Sequence, residues 1–414
     1  MAGPTAGVLD ELRAATGGHA EPAGPDNVVG GVAARWVAAP GSTPAAAAVL
    51  RVAAEHGLAV TARGAGTKLD WGLPPSRLDL IVDTGRLDRV VEHAAGDLVV
   101  IAQAGVPLGT LADRLTGDRQ RLSVDEVVPG STVGGLLATG LCGPRRLLAG
   151  AVRDLVLGVT LVRADGVVAK AGGKVVKNVA GYDLAKLVCG AYGTLGLVTE
   201  AAFRLHPITP AAAYASVRVP DPAAAHAAVQ RVLHSQFVPT AIELDRPERG
   251  GPVELAVLIE GTAAGVAART AQALAALGPG AAEVPEPAWW GALPGPGEVL
   301  VKLTTELAGL GRLLDAVEDV SAGVPVAIRG SAGVGALHAA LPGADPAAAA
   351  ATVAALREAA PAWSGSVVVL AGPAAVRAAV DSWGPVPGLD LMRRVKERFD
   401  PEALLAPGRF VGGI

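Results

Sequence analysis

The sequence is poor in aromatic residues, which make up only 3% of its 414 positions. Proteins that bind single-stranded nucleic acid stack the bases on aromatic side chains, so this scarcity argues against that class. The formal net charge of -4 points the same way, because a general nucleic-acid binder needs excess positive charge to meet the phosphates.

Cysteine is equally scarce, with Cys142 and Cys189 as the two in the chain. They form no CxxC pair, so the chain has no ligand set for an iron–sulfur cluster of its own and no disulfide framework. No metal site is predicted either. Unpaired thiols are typical of a reducing cytoplasm.

Long apolar runs are also missing. The longest uncharged stretches, Val127–Pro144 and Ala359–Val376, are interrupted by Gly and Pro and are not typical of membrane spans. The N-terminus is acidic and lacks the apolar core of a signal peptide. We therefore expect a cytoplasmic protein, either free or held at the inner face of the cell membrane through partners.

Hydrophobic residues are plentiful at 51%, and much of that share is alanine. A chain of this length favours two or three domains. We interpret residues 1–27 as an N-terminal extension with a mobile linker, 28–210 as a first domain, 211–388 as a separate cap domain, and 389–414 as a segment that returns to the first domain. Within 211–388 a strand–helix–strand–strand–helix order occurs twice, which predicts a duplicated α+β unit.

The segment Pro129–Arg146 is rich in glycine and ends in two arginines. Ser131 or Thr132 can cap a helix that starts at Val133, and a helix N-terminus with free N–H groups binds phosphate. We interpret Pro129–Gly135 as a pyrophosphate cradle. On this segment alone, a tight turn in an Ala/Gly-rich protein explains the pattern equally well.

A second glycine loop, Arg63–Lys68, follows a predicted strand–helix–strand unit whose helix starts at Thr43. Consecutive backbone N–H groups in such a loop form a nest for an anion, and glycine allows close approach. Further along, Asp165-Gly166 between two apolar runs predicts a β-hairpin.

Three glycine-rich segments thus occur in order: ARGAGTK (Ala62–Lys68), PGSTVGG (Pro129–Gly135) and Gly172–Pro207, which contains YGTLGLV. With the terminal DPEALLAPGRF they resemble the FAD-binding oxidoreductases of the vanillyl-alcohol oxidase / p-cresol methylhydroxylase type. The runs GPRR, VRDLVLGV and KNVAGYDLAKL (Lys177–Leu187) look most like the FAD-binding E subunit of bacterial glycolate oxidase. The resemblance covers roughly half of the chain.

The resemblance implies an α+β fold, with FAD stretched between two subdomains and a ferredoxin-like, duplicated cap over the flavin. It implies that FAD is bound non-covalently, because Thr67 stands where some members carry a flavin-linked histidine. The implied FAD-binding residues are Arg63, Gly64, Ala65, Gly66, Thr67, Lys68, Pro129, Gly130, Ser131, Thr132, Gly134, Gly135, Gly143, Arg145, Asn178, Gly193, Gly196, Leu197 and Val198.

Other candidates have competing interpretations. Arg146 and Arg409 are candidates for binding a carboxylate substrate, since guanidinium binds carboxylate in a two-pronged way, although each arginine taken singly suits a surface ion pair equally well. Asp183 suits a helix cap as well as a ligand. Cys142 is better interpreted as a small buried thiol.

The sequence departs from the family in two places. Related catalytic subunits carry a cap motif of the form HxGDGNxH, which we do not find, and we interpret His206, His226, His234 and His338 as solvated or core residues. The terminal motif usually reads NPG, whereas Ala406 replaces the asparagine here. The catalytic residues stay unassigned.

The resemblance implies an FAD-binding subunit of a glycolate oxidase or 2-hydroxyacid dehydrogenase complex. A hydride passes from a small 2-hydroxy acid to FAD, and the electrons leave through an iron–sulfur partner beside a catalytic FAD paralogue. Two alternatives stay open: an FAD-binding scaffold subunit without its own catalysis, and a stand-alone FAD oxidase of another small alcohol or acid.

Overall fold

The computed structural model describes residues 4–174, 182–295, 299–320 and 323–414. Within these ranges, no helix combines the length and the apolar character that crossing a membrane requires. Asn178, which the sequence marks as an FAD ligand, lies outside the described residues, as does the whole of 177–181 at the start of the run Lys177–Leu187.

The first half of the chain builds two sheets with short helices. Its strands are β1 (Ala20–Pro22), β2 (Val28–Val29), β3 (Val32–Ala33), β4 (Trp36–Ala38), β5 (Val60–Arg63), β6 (Leu80–Asp83), β7 (Val90–Ala94), β8 (Val99–Gln103), β9 (Gln120–Arg121), β10 (Val156–Val162), β11 (Val168–Gly172), β12 (Leu197–Arg204) and β13 (His206–Pro207). Its helices are α1 (Pro4–Thr16), α2 (Thr43–Glu55), α3 (Leu108–Thr116), α4 (Val133–Thr139), α5 (Arg146–Ala149), α6 (Val152–Leu155) and α7 (Ala185–Val188).

The first sheet has the order β1-β4-β6-β5, with β4, β6 and β5 parallel. Helix α2 crosses between β4 and β5; Ser42 caps it by accepting from the Ala45 amide at 3.2 Å, and Pro44 suits its first turn. The helix buries Val49 and Leu50 against the sheet. The carboxyl ends of β5 and β6 therefore lie side by side, which is where ligands bind in such sheets.

The N-terminal linker prediction is wrong in part. Within residues 1–27, strand β1 pairs with β4 in register Ala20↔Ala38, and Leu12 of α1 is fully buried. The Ala20 side chain is apolar and buried, and β1 pairs with the edge of the sheet that β4 offers. This segment is therefore ordered against the first sheet.

The second sheet has the antiparallel order β11-β10-β12-β8-β7. Strands β10 and β11 form the hairpin predicted at Asp165-Gly166. Gly166 has φ +76°, and the Asp165 carboxylate accepts from the Val167 amide at 3.0 Å. Helices α3 and α4 cover this sheet with Leu111, Leu115 and Leu137.

The rest of the chain up to residue 388 forms one continuous antiparallel sheet covered by helices. Its elements are β14 (Ala211–Val219), α8 (Pro222–Leu233), β15 (Ala241–Arg246), β16 (Val253–Gly261), α9 (Ala263–Leu277), β17 (Ala282–Val284), β18 (Leu300–Thr304), α10 (Leu310–Val320), β19 (Ala327–Ser331), β20 (Ala336–Ala340), α11 (Pro346–Ala359), β21 (Ser366–Ala371) and α12 (Ala374–Ala379).

The predicted duplication is confirmed. The sheet order is β17-β14-β16-β15-β19-β20-β18-β21, so each half is a βαββαβ unit and the halves join where β15 pairs with β19. This part of the chain, the cap, completes the predicted α+β fold. The domain limits given above remain a prediction.

The two faces of the cap sheet differ in polarity. Residues such as Leu244, Ile328, Leu337 and Leu303 point to the helices and form the core. The alternate positions point the other way, because successive side chains of a strand lie on opposite faces. That second face includes polar residues and meets the first half of the chain, where α5 contacts β15.

The C-terminal segment packs against the first sheet. Helix α13 (Leu389–Phe399) places Lys396 in a buried position, where its ammonium donates to the Asp400 carboxylate at 2.6 Å and to the Thr194 carbonyl at 2.9 Å. The chain then pairs with β5: the Val60 amide donates to the Leu404 carbonyl at 2.7 Å, and the Ala406 amide donates to the Val60 carbonyl at 2.7 Å.

Ala406 adopts φ +45°, in the left-handed region that asparagine and glycine tolerate best. We expect Ala406→Gly to raise the free energy of unfolding by about 1 kcal/mol, because the Cβ clash disappears. Urea unfolding measures this. The matched control, Ala351→Gly at an exposed position inside α11, should lower stability by about 1 kcal/mol. Equal destabilisation by both changes contradicts the prediction.

Candidate functional site

Two overlapping cavities of about 530 Å³ each run between the first and second sheets. They share Ala62, Gly64, Gly135 and Ala138, so we treat them as one cleft, the inter-sheet cleft. Among the predicted ligands its walls include Arg63, Gly64, Ala65, Gly66, Thr67, Lys68, Thr132, Gly134, Gly135, Gly193, Gly196, Leu197 and Val198.

The loop 64–68 supplies one wall of the cleft through its backbone. Within the described residues, none of its five amides donates to a protein acceptor. The Arg63 side chain is not available, because it pairs with Asp83 at 2.7 Å and donates to the Asn27 side chain at 2.7 Å. A run of free amides is an anion-binding nest, so this loop acts through its N–H groups.

The loop 64–68 and the segment 129–135 converge, as the sequence predicts. A Cβ at Gly64 would lie 2.3 Å from the Thr132 hydroxyl oxygen, and the Lys68 ammonium donates to the Ser131 hydroxyl at 2.5 Å. Burial lowers the pKa of Lys68 to about 8, which the Glu126 carboxylate only partly opposes. Lys68 therefore brings positive charge to the point where the two segments meet.

The start of helix α4 does not offer free amides, and this part of the prediction is wrong. The Val133 amide donates to the Val106 carbonyl at 3.0 Å and the Gly134 amide to the Ala104 carbonyl at 2.7 Å. The Gly135 amide donates to the Thr132 hydroxyl at 3.2 Å. The amides at the start of α4 are thus used by the chain that follows β8. The free amides of the loop 64–68 are therefore the stronger candidate for binding an anion.

The segment Tyr192–Val198 closes the far wall of the cleft. The Tyr192 amide donates to the Ala138 carbonyl at 2.9 Å, which fixes the turn before β12. Gly193 has φ +77° with open space where a Cβ would project. Asp183 is not the cap of α7; its carboxylate pairs with Lys186 at 2.8 Å.

A second, larger cavity of about 1020 Å³ adjoins the cleft, because Tyr192 and Thr139 line both. We call it the boundary cavity, since residues of the first half and of the cap line it together. Its lining includes Trp71, Cys142, Arg146, Arg153, Cys189, Tyr192, Lys302, His338, Val368, Leu370, Trp383 and Phe410. Trp383 packs edge-on against Tyr192 and Phe410, with ring centroids 5.1 Å and 4.8 Å apart.

Cap residues reach the boundary cavity along one row of the sheet. Directly opposite residues of antiparallel strands share a face, and the register pairs Asp245 with Arg329, Arg329 with His338, and His338 with Lys302. Arg329 is neutralised by Asp245 at 2.7 Å. Lys302 and His338 line the cavity.

His338 is buried and neutral. Burial lowers its pKa to about 3, and the charges of Lys302 and Arg146 lower it further in the same direction. Its Nε2 atom has no hydrogen-bond partner within the described residues. A ring with so low a pKa is a weak base, but an anion bound beside Lys302 and Arg146 would raise the pKa of His338 and let the ring accept a proton.

Sequence reasoning missed both Lys302 and His338. A signal for His338 was present: Ser331–His338 reads SAGVGALH, which keeps the two glycines and the last histidine of HxGDGNxH at the same spacing. Ser331, Val334 and Ala336 replace the first histidine, the aspartate and the asparagine. The earlier interpretation of His338 as an ordinary core residue overlooks this spacing.

Comparison with known proteins agrees with this geometry. Residues 34–172 match the family model of the FAD binding domain, and residues 378–410 match the model of the C-terminal domain of FAD linked oxidases. The chain therefore carries an FAD binding domain and a segment of the C-terminal domain of FAD linked oxidases. FAD is its cofactor.

Solved structures share the fold over nearly the whole chain. A 4-ethylphenol oxidase from Gulosibacter chungangensis superposes with a TM-score of 0.72 at 16% identity, covering 99% of this chain and 97% of its own. The p-cresol methylhydroxylase structure gives the same values, 0.72, 16%, 99% and 97%. At this identity the likeness shows the fold alone.

Curated relatives match over part of the chain. An uncharacterized FAD-linked oxidoreductase of Mycobacterium tuberculosis is 34% identical over 209 residues, 50% of this chain and 45% of its own length. The glycolate oxidase subunit GlcE of Escherichia coli is 39% identical over 147 residues, 35% of this chain and 41% of its own. A D-lactate dehydrogenase of Archaeoglobus fulgidus is 35% identical over 171 residues, 41% of this chain and 38% of its own. The chain thus spans less than half the length of these relatives.

The residues of the inter-sheet cleft fit FAD. The free amides of 64–68 and the Lys68 ammonium suit its diphosphate, and Gly193 leaves room beside the cleft. Arg409 is buried in the same cleft, where its Nη2 donates to the carbonyls of Leu69 at 2.6 Å and Trp71 at 2.7 Å. Its Nε and Nη1 are buried without partners among the described residues, and burial lowers its pKa to about 10. Such an arginine suits an anionic part of the cofactor.

Two predicted FAD ligands lie elsewhere. Arg145 pairs with Asp125 at 2.5 Å and Glu260 at 3.2 Å and lines a different cavity, together with Leu111 and Trp290. Gly143 packs against Asp125, where a Cβ would come within 2.6 Å of that side chain. Neither placement supports a role as FAD ligand. Pro129 and Gly130 stand behind the loop rather than among the residues that line the cleft.

Of the two substrate candidates from the sequence, Arg146 reaches the boundary cavity, whereas Arg409 stays in the FAD cleft. Cys142 also lines the boundary cavity. Burial raises the pKa of its thiol, and its Sγ accepts from the Val152 amide at 3.3 Å. Cys142 is therefore held as an unreactive thiol, in keeping with its interpretation as a buried core group.

Glu243 is a buried acid on the cap face next to the boundary cavity. Burial raises its pKa to about 8, which the Ser331 hydroxyl and Arg146 only partly oppose. In the unfolded chain the carboxyl ionises near pH 4.5, so between pH 4.5 and 8 the folded state holds the extra proton and stability falls as pH rises. The slope is about 1.4 kcal/mol per pH unit.

We expect Glu243→Gln to raise the thermal midpoint by several degrees at pH 8 and to change it little at pH 4.5, because the amide has nothing to ionise. Differential scanning calorimetry at both pH values checks this. Glu283→Gln, at an exposed position of β17, is the control that should shift neither midpoint. An equal shift of the Glu243→Gln midpoint at both pH values contradicts the raised pKa.

Proposed function

We propose that this chain is an FAD-dependent oxidoreductase that oxidises a small 2-hydroxy acid such as glycolate, as a subunit of a 2-hydroxyacid dehydrogenase complex. The boundary cavity carries the proposal. It adjoins the FAD cleft, and Arg146, Lys302 and His338 line it together. Cations bind the carboxylate of such a substrate, and a neutral imidazole accepts its hydroxyl proton.

The relatives support the same reaction class. Their names are those of glycolate oxidase subunits, of D-lactate dehydrogenases and of a D-2-hydroxyglutarate dehydrogenase. Oxidation of a hydroxyl group beside a carboxylate is common to these activities. The word subunit in two of the names supports a multi-subunit arrangement.

The side chains of the cavity have different roles in the proposed reaction. One of the two half-buried cations, Arg146 or Lys302, binds the carboxylate next to the hydroxyl group and so fixes the α-carbon, while the rings of Trp71 and Trp383 exclude water. An imidazole nitrogen of His338 takes the hydroxyl proton. FAD, when bound, supplies the acceptor for the hydride that leaves the α-carbon.

Electrons then leave to a partner. The sequence has two cysteines, too few for an iron–sulfur cluster, so we propose an iron–sulfur partner subunit and a catalytic FAD paralogue beside this chain. We propose that FAD is bound non-covalently, since Thr67 offers no nucleophilic ring nitrogen. Flavin that stays with the polypeptide after acid precipitation contradicts this.

The experiment mixes the purified FAD-loaded chain anaerobically with each of a panel of 2-hydroxy acids. Reduction of the flavin is measured as the loss of its absorbance. We expect bleaching by at least one 2-hydroxy acid and none by the matching acid without the hydroxyl group. Bleaching by a simple alcohol instead supports the stand-alone oxidase of another substrate and contradicts the proposal.

A scaffold subunit is the second candidate, and the segment Ser331–His338 favours it. Three of the four polar positions of the HxGDGNxH pattern are replaced, so the cap lacks groups that the related catalytic subunits carry. A yellow chain that resists reduction by every 2-hydroxy acid, but is needed for the activity of a partner, selects this alternative.

A further inference from the structure

Three cations line the boundary cavity, Arg146, Arg153 and Lys302. Arg153 is exposed, whereas Arg146 and Lys302 are half-buried and lie one on each side of the cavity. Arg146 belongs to α5 in the first half of the chain, and Lys302 belongs to β18 of the cap. Within the described residues neither side chain forms a salt bridge or a side-chain hydrogen bond, and the lining of the cavity includes no carboxylate. The pair therefore has no counter-charge of its own.

Other cations near the cavity do have acidic partners, so the lack of a counter-charge is specific to Arg146 and Lys302. Arg145 is saturated by Asp125 and Glu260, although it directly precedes Arg146. On the cap side, Arg329 is paired with Asp245. Only strand β20 lies between the strand of Arg329 and the strand of Lys302. The acids Asp125, Glu260 and Asp245 are thus directed to Arg145 and Arg329, and Glu243, on which the charge of Arg146 acts, is kept protonated by burial, which raises its pKa to about 8.

Arg146 and Lys302 are close enough that the charge of one affects the pKa of the other. Burial lowers the pKa of Lys302, and the charge of Arg146 lowers it further. Both charges also act on His338, which lies directly opposite Lys302. Like charges that are half-buried without a partner are unfavourable, so an anion that enters the cavity relieves the desolvation and the repulsion together.

The size and the remaining walls of the cavity fit a carbon chain between two anionic ends. With its open mouth included, the cavity measures about 1020 Å³, which leaves room for an acid longer than glycolate. Val368 and Leu370 give it an apolar wall on the cap side. A single carboxylate neutralises one of the two cations, whereas a dicarboxylate neutralises both.

We propose that the boundary cavity selects a 2-hydroxy acid that carries a second carboxylate, with Lys302 and Arg146 each binding one carboxylate. The inference rests on the proposed 2-hydroxyacid oxidation, whose substrate class it narrows. It makes Lys302 a specificity-determining residue of the cap.

Binding of unreactive acids tests the inference separately from turnover. Glutarate carries two carboxylates, and butyrate has a similar carbon chain with one. Trp71 and Trp383 line the cavity, so their fluorescence reports binding in the FAD-loaded chain, together with the flavin absorbance. We expect glutarate to bind at least about tenfold more tightly than butyrate, as the second ion pair predicts.

Lys302→Met is expected to weaken glutarate binding to the level of butyrate, with little change for butyrate itself, while Lys302→Arg keeps the preference. Lys170→Met is the matched control, because Lys170 is exposed on the edge strand β11 and should leave the preference intact. If Lys302→Met does not fold, Lys302→Gln gives the same comparison, and near-UV circular dichroism establishes that each variant is native.

Equal affinity of the native chain for glutarate and butyrate overturns the inference, and so does a preference that survives Lys302→Met. The oxidation is tested in parallel with the enantiomers of 2-hydroxyglutarate and 2-hydroxybutyrate. Preferential glutarate binding without flavin reduction by any 2-hydroxy acid contradicts the proposed function but supports the dicarboxylate site.

Discussion

Replacing Gly64 with alanine is expected to weaken FAD binding by about 100-fold. The new Cβ would lie 2.3 Å from the Thr132 hydroxyl oxygen, so the loop 64–68 and the segment 129–135 must move apart. Overpacking of this kind costs on the order of 1–3 kcal/mol, and about 2.7 kcal/mol corresponds to a 100-fold change in Kd. Quenching of flavin fluorescence on titration of the apoprotein with FAD measures it.

The control is Gly96→Ala. Gly96 lies in an exposed turn, and a Cβ there would meet no atom within 4 Å, so FAD affinity should stay within twofold of the native value. A second variant, Thr132→Ser, removes the methyl group and keeps the hydroxyl that caps α4. Combined with Gly64→Ala it should recover little, because the hydroxyl oxygen itself makes the close contact. Native FAD affinity in Gly64→Ala shows that the two segments do not hold the cofactor together.

Replacing His338 with asparagine is expected to slow the reduction of the flavin by 2-hydroxy acids by about 10²- to 10⁴-fold, the usual contribution of a positioned proton acceptor. His338 lines the boundary cavity, is neutral, and keeps an unpartnered ring nitrogen. Asparagine is similar in size and polar but is not basic. Stopped-flow absorbance under anaerobic conditions gives the rate constant at saturating substrate.

The matched control is His234→Asn. His234 is exposed at the end of α8 on the helix-covered side of the cap, and its ring lies 2.8 Å from the Gln230 carbonyl. Its loss should leave the rate unchanged. Because a structural role of His338 would also disturb binding, the affinity for glutarate is measured in the same variant. A slow variant with native glutarate affinity supports proton transfer, and a native rate in His338→Asn removes His338 from the mechanism.

These two predictions concern different parts of one site. Gly64 lines the inter-sheet cleft, which is the proposed cofactor site, and His338 lines the boundary cavity, which is the proposed substrate site. Loss of FAD in Gly64→Ala should abolish turnover without changing the cap. Loss of rate in His338→Asn should leave the chain yellow.

Much of the cofactor site could be predicted from the sequence, because its chemistry is local. A loop of glycines after a strand offers consecutive amides wherever the chain places it, and Ala62–Lys68 keeps this property in the structure. The hairpin at Asp165-Gly166 and the two βαββαβ units were predictable for the same reason. Their signals lie within a few neighbouring residues.

The errors came where a partner far along the chain decides the outcome. The amides that start α4 were expected to be free, but Val106 and Ala104 accept them. Arg145 was expected at the cofactor, but Asp125 and Glu260 hold it, while the next residue, Arg146, reaches the cavity. Adjacent residues of a helix point in different directions, so the sequence alone did not distinguish them.

The amino-acid sequence by itself indicated an FAD-binding chain with glycine-rich turns as the candidate cofactor site, because that chemistry belongs to the backbone of short segments. Only the tertiary structure decided which side chains line the boundary cavity. Lys302 and His338 are 36 positions apart in the chain (338 − 302), and they become neighbours through the register of β18 against β20. Their charge state follows from burial against the first half of the chain, and burial is a property of the folded molecule.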